Sequence, residues 1–367
     1  MFIPLSKPDI SALEKKYVNE VLDSGQLSMG VKTELFEQQF TQYLQVKYAV
    51  AMNSGTSALH VAVKTLGLKA GDEVITTPYS FIASGNCLVY EGVKPVFVDI
   101  DPLTLNIDTT KIEQAITPRT KGILAVHIFG QPCNMDHIME ISKRYNLHVI
   151  EDACEAIGAT WNGYPAGLMG NVGVFAFYPN KQITTGEGGV LVTNDTNIYE
   201  MASALRNQGR SLNSEWLDHQ YIGYNYRMSE LQAAVGLGQM ERLDQILKKR
   251  EGVAIRYKEL IDKYKIPVST PKILPNSRVS WFVFIIILPK HAKRDHVIDH
   301  LLNNGIQSKP YFPSIHLQPS FKNYFGYQVG QFENCETMSE RTLAIPFFNN
   351  ITLEEQTHII ESLKSCL

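Results

Sequence analysis

Apolar positions along the chain keep two periods, and they alternate. Near the start, Leu13, Tyr17, Val21 and Leu22 recur at helical spacing behind a Ser11-x-x-Glu14 capping box. A second amphipathic stretch runs from about Thr33 to Leu44. An apolar run, Tyr48–Met52, then leads into a repeated unit of β-rich run, turn and helix. The β-rich runs are Glu73–Thr77, Val96–Ile100, Ile123–Ile128, His148–Glu151, Val172–Phe177 and Val190–Thr193. Helical patterns such as Ser80–Glu91 and Asp136–Tyr145 fall between several of them. Strands separated by helices predict an α/β fold with a mainly parallel sheet covered on both faces. Ligands of such a sheet sit beyond the carboxyl ends of its strands.

A long helical pattern begins near Ser229, with Leu231, Val235, Met240, Leu243 and Leu247 apolar, and leads to Pro267, Pro271 and Pro275. The domain boundary is placed in this region, giving a large domain over 1–250 and a smaller α+β domain over 251–367. The second part reads as an apolar strand Trp281–Leu288, a helix about Arg294–Asn303, a strand near Gln307 and a final helix Leu353–Leu363.

Composition removes several function classes. A net charge of −3 supplies no basic field for nucleic acid. The longest apolar run, Trp281–Leu288, is eight residues, whereas a membrane helix needs about twenty. The N-terminus lacks a basic region followed by a long apolar stretch, so no signal peptide is expected. Cys87, Cys133, Cys154, Cys335 and Cys366 are odd in number, far apart and without a Cys-x-x-Cys pair, which reads as reduced thiols with no metal site. These absences place the chain in the cytoplasm as an expectation.

Four segments carry candidate chemistry, and each has a plain structural reading beside it. Asn53-Ser54-Gly55-Thr56-Ser57 ends an apolar run and opens a helix; free N–H groups there suit a phosphate, although read alone it is an ordinary N-cap. Asp152, in Val149-Ile150-Glu151-Asp152-Ala153, stands where a strand runs out; it could pair with a protonated pyridine nitrogen or simply cap a helix. Lys181 lies just past a strand and beside Thr184-Thr185-Gly186-Glu187-Gly188-Gly189, a position for a Schiff base with an aldehyde cofactor or for a solvated loop lysine. Gly223-Tyr224-Asn225-Tyr226-Arg227-Met228-Ser229-Glu230 offers Asn225 and Arg227 to a phosphate or another subunit, or is a turn before an N-cap.

Taken in order, these segments resemble the DegT/DnrJ/EryC1/StrS family of nucleotide-sugar aminotransferases. The likeness extends through Gly71-Asp72-Glu73-Val74-Ile75, Pro78-Tyr79-Ser80-Phe81, Val98-Asp99-Ile100-Asp101, His127-x-Phe129-Gly130, Leu205-Arg206-Asn207, Tyr311-Phe312-Pro313 with His316, and Leu343-Ala344-Ile345-Pro346. It covers nearly the whole chain. The resemblance implies a fold-type I enzyme dependent on pyridoxal 5′-phosphate (PLP), with a mainly parallel seven-stranded sheet. Position by position, Lys181 matches the lysine that binds the cofactor covalently, Asp152 the acid on the pyridine nitrogen, and Phe81 the aromatic stacked on the ring. Ser54, Gly55 and Thr56 match the phosphate cup. Asn225 matches a phosphate contact donated by the partner subunit, which implies a homodimer with shared sites. Glu155 stands where the family often has Gln beside the cofactor hydroxyl, Ala176 where many members have serine, and Gln208 in place of a common histidine. Lys7, Arg227, Tyr311 and His316 are candidate contacts for the diphosphate or sugar.

The implied reaction moves an amino group from L-glutamate to a nucleotide-linked keto sugar, with PLP cycling through pyridoxamine phosphate. The Tyr224–Gln232 segment leans towards members that aminate C4 of a 4-keto-6-deoxy sugar. A PLP-dependent sugar dehydratase on the same fold, where histidine replaces the lysine, is disfavoured by Lys181. A non-catalytic nucleotide-sugar-binding regulator is disfavoured by the retention of both Lys181 and Asp152. An amino-acid aminotransferase is disfavoured because no small-domain arginine for a second carboxylate is identifiable.

Overall fold

The computed structural model describes residues 2–211 and 218–367. Helices α1 (Ala12–Ser24) and α2 (Val31–Leu44) precede strand β1 (Tyr48–Met52) and helix α3 (Gly55–Thr65). Then follow β2 (Glu73–Thr76), α4 (Ala83–Tyr90), β3 (Lys94–Phe97), β4 (Thr120–Val126), α5 (Met135–Tyr145) and β5 (His148–Asp152). The short pair β6 (Thr160–Trp161) and β7 (Tyr164–Pro165) comes before β8 (Val172–Ala176), β9 (Gly189–Thr193) and α6 (Thr196–Arg206). One seven-stranded sheet takes the order β1-β9-β8-β5-β4-β2-β3. Strand β9 runs antiparallel to both neighbours and the remaining pairs are parallel. This matches the mainly parallel sheet expected from the alternating pattern.

Alternation along β1 shows how both faces are covered. Val50 and Met52 pack with α3, while Ala49 and Ala51 pack with α2 and the region around Phe177. Phe36 and Phe40 of α2 meet the Phe177 ring at 5.6 and 5.5 Å. Buried apolar residues on both sides are what near-continuous Val/Ile/Ala runs require.

Several boundaries differ from the sequence pattern, each for a long-range reason. Helix α2 starts two residues before Thr33 because Glu230 caps it, accepting from the N–H groups of Gly30, Lys32 and Thr33 at 2.8, 2.8 and 2.9 Å. The run Val96–Ile100 becomes a strand only over Lys94–Phe97. Asp99 turns away to accept from the N–H groups of Asn334 and Cys335. The pattern from Ser229 is two helices, α7 (Glu230–Glu241) and α8 (Leu243–Tyr264), broken at Arg242.

After α8 come β10 (Ser277–Arg278), β11 (Phe284–Ile287), α9 (Arg294–Asn303), α10 (Pro319–Phe325), α11 (Glu333–Arg341), β12 (Thr342–Ile345) and α12 (Leu353–Cys366). β11 and β12 pair antiparallel. The strand expected near Gln307 is reduced to single bridges, Ile3 with Ile306 and Lys309 with Ala344. Helix α8 joins two cores: Ile246 and Leu247 pack under the sheet, and Val253, Ala254 and Tyr257 pack with β11, β12 and α12. Ile3 packs into that second core as well.

Asp9 ties the N-terminal segment to this junction. Its carboxylate accepts from Arg242 and Lys249 at 2.9 Å and from Asn349 at 3.0 Å. Burial alone would raise its pKa, but the bonds from Lys249, Asn349 and Arg242 outweigh it and hold the group at about 2, against an ordinary 3.8. A depressed carboxyl contributes stability above its unfolded pKa and loses it as pH falls through the folded one. The thermal midpoint of Asp9→Asn should therefore lie below that of the native chain at pH 5, with the gap closing between about pH 4 and 2. A gap independent of pH would contradict this assignment.

Candidate active site

Strands β1, β2, β4, β5 and β8 point the same way, so the segments after them share one edge of the sheet. That edge collects Asn53–Thr56, Pro78–Ala83, His127–Gly130, Asp152–Glu155 and Phe177–Gly188.

Lys181 lies in the loop after β8. The loop closes on itself through Phe177 N–H to Gly188 O (2.9 Å) and Thr185 N–H to Phe177 O (3.0 Å). It also crowds the start of α3: a Cβ on Gly189 would lie 2.5 Å from Ser54 O. The Lys181 side chain is 13% exposed, with Nζ 3.3 Å from Glu155 Oε1 and 4.0 Å above the Phe282 ring. Beside it, Asn180 Nδ2 donates to Tyr311 Oη at 3.1 Å. Burial, helped by Glu155, pushes the Tyr311 phenol up to about 12.

Asp152 ends β5 and is buried. Oδ2 accepts from Ser84 Oγ at 2.7 Å and Oδ1 from Cys154 N–H at 3.2 Å. Among the described residues no basic side chain forms an ion pair with it. A buried carboxylate without a cation is costly, so this pocket is arranged for a positive group that comes from outside the chain. Glu155 is equally buried, and Oε2 accepts from Phe129 N–H at 2.9 Å. Phe129 has a φ of 56°, a left-handed conformation that side chains rarely adopt, and strain of this kind gathers at functional sites. Burial raises the Glu155 carboxyl above the usual range; Lys181 and the Phe129 N–H oppose that, and Asp152 adds to it.

At the opening of α3, Ser54 Oγ accepts from Ser57 N–H at 3.0 Å. The N–H groups of Gly55 and Thr56, as first residues of a helix, have no acceptor within it. Gly55 is required by close approach: a Cβ there would lie 2.5 Å from Ala176 Cβ. Phe81 precedes α4 and is 59% exposed, a large ring left open, and its carbonyl accepts from Ser84 N–H at 3.2 Å.

Of the other candidates, the Asn225–Arg227 segment runs beside the end of β1, where Asn53 N–H donates to Tyr226 O at 2.9 Å and Arg227 bridges Met52. Asn225 is exposed and its backbone bridges Asn207. Arg227 donates to Asn207 Oδ1 at 3.1 Å. The flanking Tyr224 and Tyr226 rings stack at 4.8 Å and lean on His60 and Glu91, which fixes how this segment is presented. Lys7 is exposed and forms no hydrogen bond among the described residues. His316 lies apart, its ring fully buried with Nε2 3.0 Å from Glu336 and its edge on Phe332, so it shows no face to an external molecule. Pattern reasoning missed Ser84, Phe129 and Phe282. Only Phe129 carried a signal, in the His127-x-Phe129-Gly130 motif; Phe282 is hidden within an apolar strand run.

The model of the DegT/DnrJ/EryC1/StrS aminotransferase family matches residues 8–364. The chain belongs to this family. It is 41% identical to GDP-perosamine synthase of Caulobacter vibrioides, over 100% of this chain and 98% of that one. Among solved structures it is similar to Helicobacter pylori PseC, an aminotransferase involved in pseudoaminic acid biosynthesis (TM-score 0.95, 29% identity, 100% and 99% of the chains). It is also similar to the PLP form of the putative sugar aminotransferase Spr1654 of Streptococcus pneumoniae (TM-score 0.93, 27% identity, 100% and 98%). The protein is thus a PLP-dependent aminotransferase of the DegT/DnrJ/EryC1/StrS family.

The residues present suit that cofactor. The start of α3 offers N–H groups to a phosphate, Asp152 is a buried anion awaiting a cation, Phe81 is an open aromatic face, and Lys181 presents an amine among them. Among the described residues no helix is long and apolar enough to cross a membrane, and no group of three His, Cys, Asp or Glu side chains is placed to hold a metal.

Proposed function

We propose that this enzyme transfers an amino group from L-glutamate to a keto sugar carried on a nucleotide, a 4-keto-6-deoxy sugar, giving an amino sugar for surface polysaccharide. The observation that carries the reading is the largely enclosed Lys181 side chain in the loop after β8, together with the buried Asp152 carboxylate at the end of the adjacent strand β5, which has no cationic partner among the described residues. When bound, PLP supplies an electron sink that stabilises negative charge at the donor's α-carbon and alternates with pyridoxamine phosphate. Asp152, held by Ser84 and Cys154 N–H, keeps a proton on the pyridine nitrogen. Lys181 Nζ, once free, would serve as the base that takes the donor's α-proton and as the acid that delivers it to the former aldehyde carbon of the cofactor, across the shared nitrogen. Ser54, Gly55 and Thr56 hold the phosphate, and Phe81 covers the ring.

Asn225 is exposed on a braced segment, which supports its reaching the phosphate of a second copy in a homodimer with shared sites. Arg227, Tyr311 and Lys7 are the chain's candidates for the nucleotide sugar. The nucleotide-linked substrate is supported by the relative named GDP-perosamine synthase, which matches the chain from end to end. We place the reaction in the cytoplasm.

The test is the visible spectrum of the protein with PLP, before and after L-glutamate. The yellow band is expected to fade as a pyridoxamine-phosphate band grows, and the aminated enzyme is then offered nucleotide-linked keto sugars. A yellow protein unmoved by glutamate removes glutamate as the donor. An aminated enzyme that returns to yellow with 2-oxo acids but with no keto sugar removes the sugar substrate.

A further inference from the structure

One contact in the site is not used by the transfer chemistry described above. Lys181 Nζ and Glu155 Oε1 lie 3.3 Å apart with side chains only 13% and 8% exposed. The carboxylate is not free to swing away, because the Phe129 N–H holds Oε2 at 2.9 Å and Phe129 itself is fixed in a left-handed conformation. The amine also lies 4.0 Å from the centre of the Phe282 ring. A ring in that position attracts a cation. The Asp152 carboxylate acts in the opposite sense, since a second negative charge beside it is unfavourable and Glu155 gains by being neutral.

We propose that Glu155 and Lys181 share a single proton, so that the carboxylate accepts the proton the free lysine amine must shed before acting as a base. In this step one Nζ–H bond breaks and an Oε1–H bond forms. Ammonium and carboxylate become amine and carboxylic acid, and no proton crosses to solvent. The role rests on the reading of Lys181 as the acid–base group, and it makes Glu155 a partner of that group as well as a neighbour of the cofactor. The Tyr311 and Cys154 groups, which also face the pair, do not compete for its proton near neutrality. Burial lifts the Tyr311 phenol to about 12 and the Cys154 thiol well above its ordinary value. Asp152 is occupied by Ser84 and Cys154 N–H.

A pair holding one proton has a signature that a plain ion pair lacks. The fraction of neutral amine is fixed by the internal equilibrium and stays flat while the pair keeps its proton. An isolated amine below its pKa instead gains about tenfold in neutral form per pH unit. The experiment is competitive acylation of the full chain stripped of cofactor, with modification of Lys181 and of exposed Lys7 measured by mass spectrometry across pH. Lys7 should rise about tenfold per unit, while Lys181 stays level over about two units around neutrality. Glu155→Gln should restore the tenfold slope at Lys181. A native Lys181 that climbs in step with Lys7, or a plateau that survives in Glu155→Gln, overturns the proposal. The native profile alone decides the matter if the variant fails to fold. The labelling requires neither PLP nor sugar, so failure of amino transfer in the spectral test is read separately.

Discussion

Lys181→Ala is expected to lose turnover by roughly 10⁴-fold, the upper range for one positioned acid–base group. The loss follows from geometry. Lys181 Nζ is the amine that the structure places beside both Glu155 and the Phe282 ring, in the loop that also packs against the start of α3. Its side chain makes no other hydrogen bond among the described residues, so the fold should survive the change. Thermal melting of the cofactor-free variant should fall, because Glu155 is left buried without its cation, but should remain a single cooperative transition. Lys181→Arg separates charge from chemistry. It keeps a cation near Glu155, but guanidinium does not deprotonate in proteins, so it should be as inactive as alanine. Added small primary amines should return part of the activity to Lys181→Ala and none to Lys181→Arg, where the space remains filled. Release of 2-oxo acid in the steady state measures all three proteins. Turnover of Lys181→Ala within tenfold of the native enzyme would remove Lys181 from the chemistry.

The sheet was legible because its signals are local. The short apolar runs at 48–52, 73–77, 148–151 and 190–193 each sit within one element, and the structure places strands there. The capping box at Ser11 and the N-cap at Ser229 were legible for the same reason, since the groups involved lie within four residues. What could not be read depends on distant partners. Glu230 starts α2 from two hundred residues away, and Asp99 ends a strand early by capping α11.

The site divides in the same way. Lys181, Asp152 and Gly55 announce themselves at strand ends and in a glycine-rich turn. Phe282 and Ser84 do not, because their importance lies in which side chain they meet. Phe282 in sequence is one more apolar residue in a strand run; only the crossing from β10 to β11 brings its ring under Lys181. His316 shows the converse. It sits in a motif that suggests a ligand contact, yet the packing of Phe332 and Glu336 seals its ring inside the protein. A motif names residue types at a spacing, and burial then decides which of them an external molecule can touch.

Asp152→Asn should separate stability from function. In the cofactor-free chain Asp152 is a buried carboxylate that accepts two hydrogen bonds and has no cationic partner among the described residues. Asparagine fits the same bonds. Its oxygen can accept from Cys154 N–H, and its amide can donate to Ser84 Oγ, which turns its own proton to Ser80 Oγ 2.8 Å away. The substitution removes a buried charge and can keep both hydrogen bonds. The cofactor-free variant should therefore melt at or above the native temperature, as expected where an active site stores instability. With the cofactor the sign reverses. An amide cannot hold a proton on the pyridine nitrogen, and the broken charge-assisted contact is worth about 3–5 kcal/mol. That corresponds to a fall in turnover of roughly 10² to 4 × 10³-fold at about 1.4 kcal/mol per tenfold. The rise in melting temperature on adding PLP should shrink in parallel, because the cofactor stabilises only the state it binds. Melting curves with and without PLP, set beside steady-state rates, test both halves. A cofactor-free Asp152→Asn that melts well below the native chain would show Asp152 to be structural. Unchanged turnover would show that the ring nitrogen finds its acid elsewhere.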